Sequence, residues 1–99
     1  MDDKDNLRSL IDEVDSELLV LLNKRASLVI ELWKLKQAQN IPLYDREREI
    51  SVGEKACRAN QGPLTPSAVI QLYKCIMEQS RHVAALQLGC EEPDVDNRR

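Results

Sequence analysis

The sequence predicts an all-α domain of three helices, one long, one short and one of medium length. Three observations lead there. Leu, Val, Ile, Ala, Lys, Arg and Glu dominate, Phe is absent, and the 99 residues include only three Gly and four Pro, a composition that favours helix. Apolar residues recur at helical spacing from the start of the chain. Helix-breaking signals gather at Pro42 and between Gly62 and Pro66, dividing the chain into three helical stretches.

Asn6 or Asp5 is placed to cap the first helix. It runs without Pro or Gly to about Ala38, about 32 residues and about 48 Å at 1.5 Å per residue. Leu7, Val14, Leu21, Leu28 and Leu35 recur every seven residues, and Ile11, Leu18 and Leu32 fill the companion position. An apolar stripe therefore runs the whole length. The rest of the chain forms shorter helices, so the natural cover for this stripe is a second copy of the long helix. An intertwined homodimer is expected.

The segment 39–44, which contains Pro42, breaks the first helix. Asp45 is then positioned to cap a second through about Ala59, with Glu47 and Glu49 favourably near its N-terminus. Ile50, Val52, Ala56 and Cys57 give this helix a narrow apolar face. Gly53 costs about 1 kcal/mol relative to Ala, so tertiary contacts must hold the helix together. Gly62 and Pro63 mark its stop. Thr65 followed by Pro66 is an N-cap with Pro at the first helical position, opening a third helix to about Leu88, with Gly89 as its end. Its stripe is Val69, Tyr73, Ile76, Met77, Val83 and Ala84. Residues 1–89 are expected to form the domain, and residues 90–99, charged and carrying Pro93, a disordered tail with nothing to bury.

Composition also excludes function classes. The formal charge of -3 comes from acidic and basic residues mixed along the chain, without the basic face of a nucleic-acid binder. The longest apolar run is residues 18–22, far short of the ~20 residues needed to span a bilayer. No signal segment is apparent, so neither nucleic acid nor membrane is expected as a partner, and a cytoplasmic location is. Cys57, Cys75 and Cys90, odd in number and accompanied by the single His82, offer no metal-ligand pattern and no disulfide framework. They read as thiols in a reducing compartment.

The informative residues are charges on apolar faces. Arg25 sits where the stripe expects an apolar side chain, so an anionic partner is expected. Lys36, eleven residues on, returns to within about 20° of the same face, about 16 Å along the axis. The two cations either converge on a small molecule carrying several negative charges, or Arg25 pairs across the dimer while Lys36 snorkels to solvent. Arg8 lies about 25 Å from Arg25 and about 100° off its face, so it cannot join the same site in cis. Were two long helices to pack antiparallel about Leu21 and Leu22, the partner's Arg8 would lie opposite Lys36; taken alone, Arg8 is an ordinary surface charge. Asp45, Arg48 and Glu49 share a face of the second helix and suit hydroxyl recognition or an ion-pair network. Ser80 interrupts the third stripe and needs a hydrogen-bond partner, either a ligand or the carbonyl of Ile76. His82 falls off the stripe, at the surface.

Together, Leu7-Arg8, Ile11-Asp12, Asp15, residues 18–22, Lys24-Arg25, Lys36, Pro42-Leu43-Tyr44-Asp45 and Arg48-Glu49 resemble the AroQ-type helical chorismate mutases over residues 6–88. The resemblance implies a three-helix domain intertwined as a dimer through its long helices. It implies that Arg25 and the partner's Arg8 bind the two carboxylates of chorismate and that Lys36 contacts a carboxylate and the ether oxygen. Asp45 and Arg48 would line the pocket, Glu49 would accept the ring hydroxyl, and Ser80 would bond a carboxylate. The family's rearrangement of chorismate to prephenate needs no cofactor or metal. The chain departs from the family at Ala84, where Gln or Glu usually supplies a second contact to the ether oxygen. Gln87 is a candidate substitute, and a reduced rate, or one restored by a partner, is expected. Two alternatives stay open: an isochorismate pyruvate lyase of the same fold, and a non-catalytic dimerisation or regulatory module working with another shikimate-pathway enzyme.

Overall fold

The computed structural model describes residues 2–95. Three helices follow in order, α1 (Asp3–Ala38), α2 (Arg46–Ala59) and α3 (Pro66–Leu88), and no strand occurs among the described residues. α1 begins earlier than expected. Its cap is Asp2, whose carboxylate accepts from the amide of Asp5 at 2.9 Å, so Asp5 and Asn6 lie within the helix. The first-turn acids Asp3 and Asp5 face the positive end of the helix dipole.

α1 ends at Ala38, as expected, within the turn that leads to Pro42. Asn40 adopts φ 56°, while Ile41 and Asn40 donate to the carbonyls of Lys36 and Gln37 at 2.8 and 3.2 Å. These paired bonds close the helix, and Asn is among the few non-Gly residues that tolerate such a backbone. α3 ends the same way. Gly89 takes φ 65°, and the amides of Cys90 and Gly89 donate to Ala85 and Leu86. The expected caps Asp45 and Thr65 accept from the amides of Arg48 and Ala68 at 3.0 and 3.1 Å.

α3 is the shared element, with α1 and α2 each packed on it. Trp33, Ala84 and Ala85 form the core between α1 and α3, joined by Val29, Ile30, Leu43, Leu88 and Cys90. On α2 the buried residue is Gly53, where an added Cβ would lie 3.3 Å from Ile70 Cδ1; Ile50, expected on the inner face, is exposed. Cys90 half-buries against the core, correcting the expectation that it has nothing to bury, and Glu92 lies 2.6 Å from His82 Nδ1. Residues 96–99 of the expected tail lie outside the described residues.

α1 carries two apolar faces. One, with Leu22, Ala26, Val29, Ile30 and Trp33, is turned at least partly inward. The heptad stripe is the other, and it is open: Leu7, Ile11, Val14, Leu18, Leu21, Leu28, Leu32 and Leu35 are 48–60 % exposed. The chain measures 56 × 26 × 23 Å, with a radius of gyration of 16.7 Å, against about 13 Å for a compact domain of this length. Its accessible surface of 7981 Å2 exceeds by about 2,000 Å2 that of a compact monomer of this mass. One chain by itself leaves this apolar face open.

Candidate active site

α1 carries two half-buried cations, Arg25 near its middle and Lys36 near its end. Arg25, half-buried, donates from Nη1 to Ser80 Oγ on α3 at 3.1 Å. The partner is a neutral hydroxyl, not the anion expected, and Ser80 bonds Arg25 instead of the carbonyl of Ile76. A guanidinium whose contact is one hydroxyl keeps most of its donors and all of its charge available to a ligand. Ser80 is buried and hydrogen-bonded, so it fixes where that charge sits.

Lys36 lies near the end of α1. Its Nζ donates to the carbonyl of Leu43 at 3.1 Å, folding over the turn that leads into α2. The ammonium has further protons to give. A hollow of about 300 Å3 opens here, lined by Lys36, Ile41, Pro42, Tyr44, Asp45 and Glu47. A larger groove of about 470 Å3 runs between α1 and α3 past Leu22, Ala26, Ile76, Ser80 and Val83. Its walls are mainly apolar, so it suits side chains of another helix better than a small anion.

On α2, Glu49 turns toward α3 and forms an ion pair with Arg81 through both carboxylate oxygens. The Arg81 guanidinium also lies over the Tyr44 ring, 5.3 Å from its centroid, within reach of a cation–π attraction. Arg81 is absent from the sequence reading. It was detectable only as the residue beside Ser80, four after Met77, that borders the buried face. Asp45 spends its carboxylate on the α2 cap, and Arg48 is exposed.

Two expected residues are placed elsewhere. Arg8 is exposed on α1, seventeen residues and about 25 Å along the helix from Arg25, outside any pocket formed within one chain. Ala84 is 0 % exposed and packs with Trp33. It belongs to the core and offers no surface to a ligand, while Gln87 is exposed. Trp33 fills the space beside Ala84, and a second apolar spacing on α1, Leu22, Val29, Ile30 and Trp33, is the signal that foretells it. Among the described residues no cluster of His, Cys, Asp and Glu could hold a metal ion, and no helix is long and apolar enough to cross a membrane.

Residues 7–85 match the family model for chorismate mutase type II. The bifunctional chorismate mutase/prephenate dehydratase of Aquifex aeolicus is 35 % identical over 81 residues, 78 % of this chain and 22 % of that protein. The T-protein of Haemophilus influenzae is 42 % identical over 76 residues, 76 % of this chain and 20 % of that protein. The chain thus spans about a fifth of the length of these curated relatives. A chorismate mutase structure (form II) from Thermus thermophilus superposes with a TM-score of 0.84 at 30 % identity, covering 87 % of this chain and 98 % of that one. The match over residues 7–85 and the sequence and fold shared with these proteins lead to one assignment: the chain belongs to the chorismate mutase type II family.

Proposed function

We propose that the chain catalyses the rearrangement of chorismate to prephenate as a homodimer in which each active site draws on both subunits. The supporting observation is the Arg25–Ser80 contact together with Lys36: two half-buried cations on one helix face, neither neutralised by a carboxylate. Chorismate carries two carboxylates. Arg25 takes one, with Ser80 beside it, and Lys36 reaches the other end of the ligand, where the ether oxygen gathers negative charge as its C–O bond breaks and the new C–C bond forms. The reaction conserves every atom within one molecule, so catalysis consists of holding the reactive chair form and stabilising that charge. Glu49 accepts the ring hydroxyl, and Asp45 and Arg48 line the same side.

The open stripe on α1 supports the dimer. Its exposed Leu, Ile and Val side chains run the length of the helix, and the excess surface fits an obligate interface, which typically buries 2,000 Å2 or more in total. Antiparallel pairing about Leu21 and Leu22 brings the partner's Arg8 to the Lys36 end of the site, supplying the second carboxylate ligand. Residues 1–89 make up the catalytic unit, with Cys90 sealing its core. Relatives that join a chorismate mutase to a prephenate dehydratase support another shikimate-pathway enzyme as a partner. Three free thiols suit the cytoplasm.

The test is chorismate consumption by wild type, Arg25→Ala and Lys36→Ala, with isochorismate as a parallel substrate. Prephenate formation by wild type, lost in both variants, is the expected result. Pyruvate release from isochorismate alone would make the protein a lyase, and no turnover of either would leave it a binding module.

A further inference from the structure

We infer that Arg81 is a positioning residue that orients the Glu49 carboxylate toward the substrate's ring hydroxyl; this rests on the function proposed above. Glu49 sits in the first turn of α2, and an unrestrained Glu there samples several rotamers, few of which aim an oxygen at a bound hydroxyl. Arg81 removes that freedom. It reaches across from α3, contacts both Glu49 oxygens and lies over Tyr44 of the loop between α1 and α2. The pair is well shielded, with the Arg81 and Glu49 side chains 11 % and 24 % exposed.

Position matters as much as strength. Arg81 follows Ser80, the residue that receives Arg25. One turn of α3 therefore sets the carboxylate-binding cation on one side and the hydroxyl acceptor on the other, so their separation is fixed by helix geometry instead of loop conformation. A carboxylate has about four acceptor positions. With both oxygens already engaged by Arg81, the positions left over point in defined directions, and a hydroxyl donor finds an acceptor already aimed. Tyr44 limits tilt of the guanidinium plane, which a Lys ammonium at the same place could not reproduce.

The experiment compares kcat and KM of wild type, Arg81→Gln and Arg81→Lys on chorismate and on its analogue lacking the ring hydroxyl, with circular dichroism and thermal melts of each protein. On chorismate, kcat/KM of Arg81→Gln should fall about 10- to 100-fold, the scale of a misplaced contact group, and Arg81→Lys should fall less. On the analogue, both variants should stay within about twofold of wild type, because no hydroxyl remains to be oriented. Should Arg81→Gln fail to fold, Arg81→Lys carries the same comparison. Equal losses on the two substrates, or no loss on chorismate, overturn the positioning role while leaving the mutase intact. A wild type that does not consume chorismate overturns the function itself, and this inference falls with it.

Discussion

Arg25 Nη1 meets Ser80 Oγ at 3.1 Å across the seam between α1 and α3. The hydroxyl is buried and accepts from the guanidinium, which leaves its O–H proton to donate, under the proposed function, to the substrate carboxylate beside Arg25. Ser80→Ala removes that proton and loosens the Arg25 rotamer without touching the charge. KM for chorismate should rise by about tenfold, the equivalent of one hydrogen bond to a charged group, while kcat changes little. Steady-state kinetics check this, and a fall in kcat with unchanged KM would contradict the assigned role.

Lys36 should behave in the opposite way. Its bond to the Leu43 carbonyl aims the ammonium before any ligand arrives, which is what a preorganised charge requires. Lys36→Ala should lower kcat by about 100- to 1,000-fold, comparable to deleting an oxyanion donor. The thermal midpoint should move only modestly, since a single bond to a carbonyl contributes about 1 kcal/mol. Rate and melting measurements on one preparation separate the two effects.

Trp33 is the stability counterpart of these residues. It is 3 % exposed and packs with Ala84 and Ala85, so Trp33→Ala should destabilise by about 3–5 kcal/mol through lost burial and the cavity left behind. Ala84→Gln, which would restore the polar residue usual in the family, meets the indole in a filled space. It should destabilise by about 1–3 kcal/mol and fail to raise kcat. Denaturant titration followed by circular dichroism measures both.

What the sequence discloses divides along physical lines. Asp45, Thr65-Pro66 and Gly89 act on their own backbone neighbours, so these helix ends are readable. The α1 start is not, because Asp2, Asp5 and Asn6 are all competent caps and only the structure selects Asp2. The heptad stripe announces a long face needing cover. Trp33 hides because that stripe draws attention from the second apolar face, the one that packs on α3. The Arg81–Glu49 pair joins residues 32 apart, each an ordinary surface type, and only the docking of α2 on α3 brings them together. Ala84 is legible as a departure from the family, but its consequence is not: the chain answers the missing polar group with an indole in the core.

Gly53 offers a stabilising change. It is a buried glycine inside α2, and an added Cβ would approach Ile70 Cδ1 at 3.3 Å. Ile70 is 40 % exposed, so its terminal methyl has room to move by the few tenths of an ångström required. The gain in helix propensity should then win, and Gly53→Ala should stabilise by up to about 1 kcal/mol. Gly53→Leu, too large for the same gap, should destabilise by about 1–3 kcal/mol. Thermal melts of the pair give the sign directly.

The strongest demand falls on Arg8, exposed and remote from Arg25 in its own chain. If each site takes Arg25 from one subunit and Arg8 from the other, Arg8→Ala and Arg25→Ala homodimers each lack one cation at both sites. Unfolding the two together and refolding them yields mixed dimers in which one site has lost both cations and the other has lost neither. Half of a random mixture is mixed and one site in two is whole, so about a quarter of wild-type activity should return. Size-exclusion chromatography with light scattering confirms the dimer throughout. Introducing Leu21→Asp at the centre of the exposed stripe should dissociate it and remove the regained activity, because a buried unpaired charge is far costlier than a solvated one. Activity that stays at the level of the separate variants after refolding would mean that Arg8 and Arg25 do not meet across the interface.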